Sequence, residues 1–223
     1  MCSGAPAEAT RTTESRFLMK MHWSPRSPFV RKAMIAVHEM GLQDQVTCVR
    51  TVASPFKAHE ELMDDNPLSK LPTLVLDDGT VVYDSHVICE YLDTLHDRPR
   101  LFPSAWPERL IALRNEALGD GLMDLSLLWL IERLRGEGMQ SADLVTANAR
   151  KVERVLTRLE ADVAPLADRP FDIGHLTIGT ALGYLDFRFP FVEWRKGRPA
   201  LAAWHADFLE RPSVHANPVV DDS

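Results

Sequence analysis

Apolar positions along the chain change period once, from short strand-like runs to long helical stripes. Phe17 to Trp23, FLMKMHW, is an apolar and aromatic run suited to a buried strand. It ends at Ser24-Pro25-Arg26-Ser27-Pro28. There Ser27 can cap a helix, and Pro28 can take the first helical position, where no N–H is needed. Phe29, Ala33, Val37 and Met40 follow at near-helical spacing, and Gly41 supplies a stop. Val46 to Val52 reads as a second strand, parallel to the first through a βαβ crossover. A polar stretch with a short helix over Phe56 to Asp65 precedes two further strands, Thr73 to Leu76 and Thr80 to Tyr83. Asp78-Gly79 turns between them, because glycine takes positive φ without a steric penalty. A helix then starts near Asp84-Ser85, with Val87, Ile88, Tyr91, Leu92 and Leu95 as its expected apolar stripe.

Pro99, Pro103 and Pro107 interrupt regular structure, and beyond them only helical patterns occur. The first runs from Pro107 to about Arg135, with Leu110, Ile111, Leu113, Leu118, Leu122 and Leu125 expected inward and Gly119 and Gly121 weakening its continuity. Ser141 to about Val163 carries Val152, Val155, Leu156, Leu159 and Val163 on one stripe. Asp172 to Phe187 and Pro199 to Glu210 complete the set. The expected organisation is α/β plus all-α: a flexible leader over 1–16, a βαβ-ββα unit over 17–96, a linker over 97–106 and a helical domain over 107–223.

Composition narrows the function classes. At 223 residues, 45% apolar and 26% charged, the chain can bury a core without metals or disulfides. A net charge of -7 and the absence of a basic stripe among aromatics argue against nucleic acid or an anionic membrane as partner. No apolar run is long enough to span a bilayer, and residues 1–16 lack the apolar core of a signal peptide. Cys2, Cys48 and Cys89 form an odd set without zinc or Cys-x-x-Cys spacing, which fits a reducing, cytoplasmic setting. The 8 histidines are scattered without metal-ligand spacing, so no metal site is expected.

The strings SPRSPFVRKAMIAVHEMGL and NPLSKLPTLVLDDGTVVYDSHVICEYL resemble the N-terminal half of soluble glutathione transferases with Ser or Cys at the start of the first helix. LTIGTALGYLDFRFP resembles the buried C-terminal helix and exit loop of a bacterial subgroup, and the likeness runs from about Phe17 to Pro218. The resemblance implies a thioredoxin-like first domain holding extended glutathione, a helical second domain holding another substrate, and a homodimer. Within the motif Ser27-Pro28-Phe29, the family's catalytic position falls on Ser27, and Phe29 is counted with the glutathione-binding residues. The family's cis proline falls on Pro72, and the residue pairing its backbone with the cysteinyl part of glutathione on Leu71. The acidic-Ser pair for the γ-glutamyl end falls on Asp84-Ser85, while Lys70 and Lys57 match positions near the glycyl carboxylate. Glutathione would be a substrate, with no resident cofactor.

An alcohol is a poor nucleophile without a base, and none is identified beside Ser27. Ser27 can instead donate a hydrogen bond to the sulfur of glutathione and favour thiolate over thiol. Lowering that thiol's pKa by about two units corresponds to about 2.7 kcal/mol. The plain alternative for Ser27 is a helix cap. Serine cannot form a mixed disulfide, so the sequence leans to thiolate addition or substitution on a small electrophile. The alternatives are glutathione-dependent peroxide reduction or isomerisation, and a non-catalytic glutathione-binding or protein-interaction module. Trp129, Trp194 and Trp204 read as core residues before cleft residues, and Arg109 as a polar cleft candidate or a surface ion pair. Asp172 can cap a helix, but Asp172-Ile173-Gly174-His175 departs from the usual capping box.

Overall fold

The structure, a computed structural model, describes residues 18–136 and 138–222, so the leader and Phe17 lie outside the described residues. Central in the sheet is β1 (Met19–Trp23), followed by α1 (Pro28–Met40). Ser27 caps α1 by accepting from the Val30 N–H at 3.3 Å, Pro28 opens it, and Gly41 at φ 72° closes it. That left-handed closure suits glycine and brings the Gly41 N–H onto the last carbonyls. β2 (Val46–Arg50) pairs parallel with β1, while β3 (Thr73–Val75) pairs antiparallel with β1 and with β4 (Val81–Val82). The order β2-β1-β3-β4 is the expected thioredoxin-like sheet, its core marked by fully buried Met21 beside Leu74.

α2 (Glu60–Asp65) starts later than the sequence suggests, because His59 Nδ1 caps it at Leu62 N–H and Ser54 bridges to Lys57 just before it. In α3 (Ser85–Leu92) the expected stripe is corrected. Ser85, Ile88, Cys89 and Leu92 form the buried face at helical spacing, and Val87 and Leu95 point outward.

The helical part consists of α4 (Trp106–Arg133), α5 (Ala142–Ala167), α6 (Ile173–Arg188), α7 (Pro199–Leu209) and α8 (Pro212–His215). α4 is unbroken at Gly119 and Gly121, but most of its expected inward leucines are not its buried face. Leu110 is exposed, Ile111, Leu113, Leu118 and Leu125 are half-buried, and only Leu122 is fully buried; Ala112, Asn115, Glu116, Gly119, Met123 and Ser126 take the inner positions. The reason is a close crossing with α6. A Cβ on Gly119 would stand 2.8 Å from the Thr177 carbonyl carbon, leaving no room there for a large side chain.

At the start of α6, Asp172 and His175 form a reciprocal capping box in which a histidine stands where the usual motif has Glu or Gln. The His175 N–H donates to Asp172 Oδ1 at 3.1 Å, and the Asp172 N–H donates to imidazole Nδ1 at 3.2 Å. Nε2 lies 2.8 Å from the Leu166 carbonyl, so the ring also ties the end of α5 to α6.

Two apolar clusters hold the molecule together. The first joins Met21, Ile35, Leu74 and Ile88 of the α/β part to Ala112, Ile173, Leu176, Phe208 and Val214 of the helical part. The second, around Leu122, Leu156, Leu182 and Trp194, belongs to the helices, with Phe29 of α1 packed against it. The segment between α3 and α4 is docked as well: buried Asp93 accepts from the N–H groups of Leu101 and Phe102 at 2.9 and 3.1 Å. Both of those residues bury their side chains, satisfying backbone and apolar demands together.

Candidate functional site

Strand register brings the expected residues to one end of the sheet. His22 near the end of β1 stands opposite Thr73 at the start of β3, and Leu74 stands opposite Val82 at the end of β4. The loops carrying Ser27, Leu71-Pro72 and Asp84-Ser85 therefore emerge from the same end of the sheet. Ser27 is half-buried, and its cap uses an acceptor position of the oxygen, leaving the O–H proton for a ligand. Leu71-Pro72 is cis, with Pro72 buried and Leu71 half-buried. Buried Asn66 braces this turn, donating to the Lys70 carbonyl at 3.3 Å and to Thr73 Oγ1 at 2.9 Å.

Asp84 is exposed and caps α3, its Oδ1 accepting the His86 N–H at 3.1 Å, while Ser85 is buried in the first turn. Behind them runs an ionic chain with no motif in the sequence. His86 Nδ1 lies 2.8 Å from Glu116 Oε2, and the ammonium of Lys32 lies 2.8 Å from both Glu116 and Asp120. Lys32 is completely buried. Burial alone would lower its pKa, but Asp120 and Glu116 outweigh it and hold the ammonium charged. The Asp120 carboxyl is pushed up by burial in spite of Lys32, whereas burial of Glu116 is overcome by His86 and Lys32, which pull it down. His86 is raised chiefly by its hydrogen bond to Glu116. Cys89, fully buried nearby, has its thiol pushed up by burial to about 12, which removes it from thiolate chemistry at neutral pH.

Lys70 is exposed beside the Leu71-Pro72 turn, and Lys57 is exposed in the bridge to Ser54. Phe29 packs toward the helical cluster. Of the three candidate tryptophans, Trp129 and Trp194 are buried and Trp204 is half-buried: Trp129 stacks on Phe189 at 4.8 Å, Trp194 donates to Asp186 at 2.7 Å, and Trp204 stacks on Phe208. Arg109 pairs with Glu90 over the Phe102 ring.

Across from Ser27, α6 supplies Thr180 and Tyr184 to a narrow crevice that Arg26, Arg31 and Val219 also line. None of these five was singled out from sequence. Arg26 and Arg31 sit inside the recognised string, but nothing in a linear motif says that they meet residues near position 220. Burial pushes the Tyr184 phenol up to about 12 and lowers Arg31, the latter partly offset by Asp186. A larger cavity of about 450 Å³, lined by Asp186, Phe189, Pro190 and Glu193 to Lys196, shares no residue with this crevice. Among the described residues no group of three or more His, Cys, Asp or Glu side chains could hold a metal ion, and no helix is long and apolar enough to cross a membrane.

Comparison with known proteins gives concordant findings. Residues 26–95 match the family model "Glutathione S-transferase, N-terminal domain" and residues 142–207 match "Glutathione S-transferase, C-terminal domain". The chain is 32% identical over 197 residues to the "Uncharacterized GST-like protein YibF" of Escherichia coli (strain K12), covering 87% of this chain and 96% of that protein. A glutathione transferase family member from Pseudomonas fluorescens Pf-5, solved with bound glutathione, is 40% identical with a TM-score of 0.88, covering 91% of this chain and all (100%) of that one. A structure of a family member from the same source with bound S-(propanoic acid)-glutathione aligns with a TM-score of 0.82 at 40% identity, covering 90% of this chain and 100% of that one.

Proposed function

Because the chain belongs to the glutathione S-transferase family, we propose that it activates the thiol of glutathione for attack on a small electrophile, with Ser27 as the residue that stabilises the thiolate. The observation that carries this reading is Ser27, capping α1, at the same end of the sheet as the cis Leu71-Pro72 turn and the Asp84-Ser85 helix start. The Leu71 backbone would pair with the cysteinyl part of glutathione. The exposed N–H groups at the start of α3 and the Ser85 hydroxyl would receive the glutamyl carboxylate, while Asp84 faces its ammonium. Phe29 would support the Ser27 turn, and Lys70, with Lys57 more peripherally, would face the glycyl carboxylate. Glutathione bound to the Pseudomonas fluorescens relative supports the ligand.

In the reaction, the Ser27 O–H donates to the glutathione sulfur, and the start of α1 adds its positive end to the same stabilisation. The thiolate then bonds to the electrophilic carbon as the leaving group departs or the double bond accepts the electron pair. Water around the sulfur is replaced by fixed dipoles that need not reorient as charge moves. The setting proposed is the reducing cytoplasm, and the assembly a homodimer. Phe56, Leu68, Val87, Trp106 and Leu110 are apolar and exposed in the single chain, and a second copy would shield part of this surface. Sedimentation velocity should give a mass near twice 25.1 kDa.

Ser27 is tested by titrating the ultraviolet absorbance of the thiolate in the glutathione complex. In the native protein the bound thiol should ionise about two units below free glutathione, and Ser27→Ala should raise it by most of that amount. Initial rates with aryl halides, enones, epoxides and peroxides should fall by about tenfold to a hundredfold in the same variant. An unchanged thiol pKa in Ser27→Ala would remove Ser27 from this role. Glutathione bound tightly with no rate above background across the panel would favour a binding module.

A further inference from the structure

Arg26 and Arg31 line the crevice beside Ser27, and the chain segment that meets them carries Asp221 and Asp222. Arg26 Nε lies 2.9 Å from Asp222 Oδ1, while Arg50 Nε and Nη2 lie 2.7 and 2.5 Å from Asp222 Oδ2. One carboxylate is thus held by two arginines, one on each oxygen. The same segment is tied down along its length: Arg31 Nε donates to the Asn217 carbonyl at 2.9 Å, and Arg188 Nη1 lies 3.1 Å from Asp221 Oδ2. Between these anchors Val219 reaches the wall of the crevice that Ser27 lines.

The placement of the two arginines is set by the sheet and not by chance surface charge. Arg26 precedes Ser27 in the β1-α1 turn, and Arg50 stands opposite Trp23 at the same end of β1. Guanidinium forks match carboxylate oxygens in geometry and remain charged at any working pH. Seen from Ser27, the segment resembles a small organic acid, with an apolar group in the crevice and a carboxylate on the arginines. Arg26 and Asp222 each keep more than a quarter of their side-chain surface in solvent, so their attraction is weakened by water and the carboxylate is exchangeable.

We propose that Arg26 and Arg50 form the recognition site for a carboxylate borne by the electrophile, and that Asp222 occupies the site as an intramolecular stand-in until an acidic substrate displaces it. The inference rests on the reading that glutathione lies at Ser27, and it names the class of the second substrate. An aryl halide carrying a carboxylate illustrates the step. The glutathione sulfur bonds to the aryl carbon, the carbon-halogen bond breaks with its electron pair leaving on the halide, and the thiol proton has already passed to solvent. Arginine-bound carboxylate fixes the ring while the reacting carbon faces the sulfur. Asp222, tethered at high local concentration, lowers the apparent affinity for every acid that competes with it.

The test is calorimetric titration of the full chain with a chloronitrobenzoate and with its methyl ester, beside a separate titration with glutathione. The benzoate should bind at least tenfold more tightly than the ester. Arg26→Met and Arg50→Met should each weaken the benzoate at least fivefold and the ester by much less, and raising the salt concentration should weaken the benzoate selectively. Asp222→Asn should tighten the benzoate by several-fold without moving the ester, a gain that a misfolded variant cannot produce. Equal affinity for acid and ester, or a benzoate affinity indifferent to both Arg26→Met and Asp222→Asn, overturns the proposal. Failure of the glutathione titration alone would overturn the reading of Ser27 and leave the carboxylate result standing on its own titration.

Discussion

In the proposed reaction Ser27 would fill two roles with one hydroxyl: its oxygen accepts the Val30 N–H, and its proton would go to the glutathione sulfur. Ser27→Cys separates the roles chemically: a thiolate at a helix start can form a mixed disulfide with glutathione, so that variant should gain thiol-disulfide exchange as conjugation falls, measured with a mixed-disulfide substrate. Lys32 is the opposite case, a residue whose importance lies wholly in burial. Replacing it by Met leaves Asp120 without its cation and Glu116 with His86 alone, and should cost about 3–5 kcal/mol in denaturant unfolding. Adding Glu116→Gln and Asp120→Asn should recover a large part of that loss. The two residues differ equally in legibility. Ser27 lies in a contiguous string with Pro28 and Phe29, whereas Lys32 and Glu116 are 84 positions apart and each reads as an ordinary surface charge.

At the scale of elements, the crossing of α4 and α6 turns on which glycine faces the neighbour. Gly→Ala inside a helix usually stabilises by about 0.5–1 kcal/mol, because the unfolded chain loses more freedom with glycine. Gly121 has nothing within 4 Å of an added Cβ and should follow that rule. Gly119 should reverse it: the added carbon would meet the backbone of Thr177 and Ile178 at 2.8 and 2.9 Å, and rigid backbone cannot give way. Gly119→Ala should destabilise by about 1–3 kcal/mol, and thermal unfolding of the matched pair checks the sign. Strand and helix types were readable because period and caps are local signals: Ser27 and Gly41 bound α1, and Gly79 turns β3 into β4. The buried face of α4 was not readable. A leucine stripe signals an apolar environment only where there is space for leucine, and at this crossing α6 approaches too closely.

For the molecule as a whole, ion pairs between distant elements set the response to pH. Burial of Glu39 is outweighed by hydrogen bonds from Arg211 and Ser213, so its carboxyl is pulled down; Asp65 is pulled down chiefly by hydrogen bonds from His22 and Lys20. With Glu116, these groups contribute stability that is present above the ordinary carboxylate range and lost as pH falls through their lowered folded values. His86 acts in the other direction: its raised pKa contributes stability below about 6.5 that is lost as pH rises through its folded value. Asp120, raised by burial, opposes the other carboxylates. The melting temperature should therefore fall in acid, with the slope reduced by Glu39→Gln, and decline gently as pH rises through the raised folded value of His86, a decline that His86→Gln should flatten. The shared apolar cluster has a consequence in time. Ile35 and Leu74 leave the ribosome long before Phe208 and Val214, which belong to the same apolar cluster. Throughout translation of α4, α5 and α6 the early sheet and its first helix present an uncovered apolar wall, which is the kind of surface nascent-chain chaperones hold. A fold that borrows part of one domain's interior from the end of the other can thus mature only after nearly all of its helices have been made.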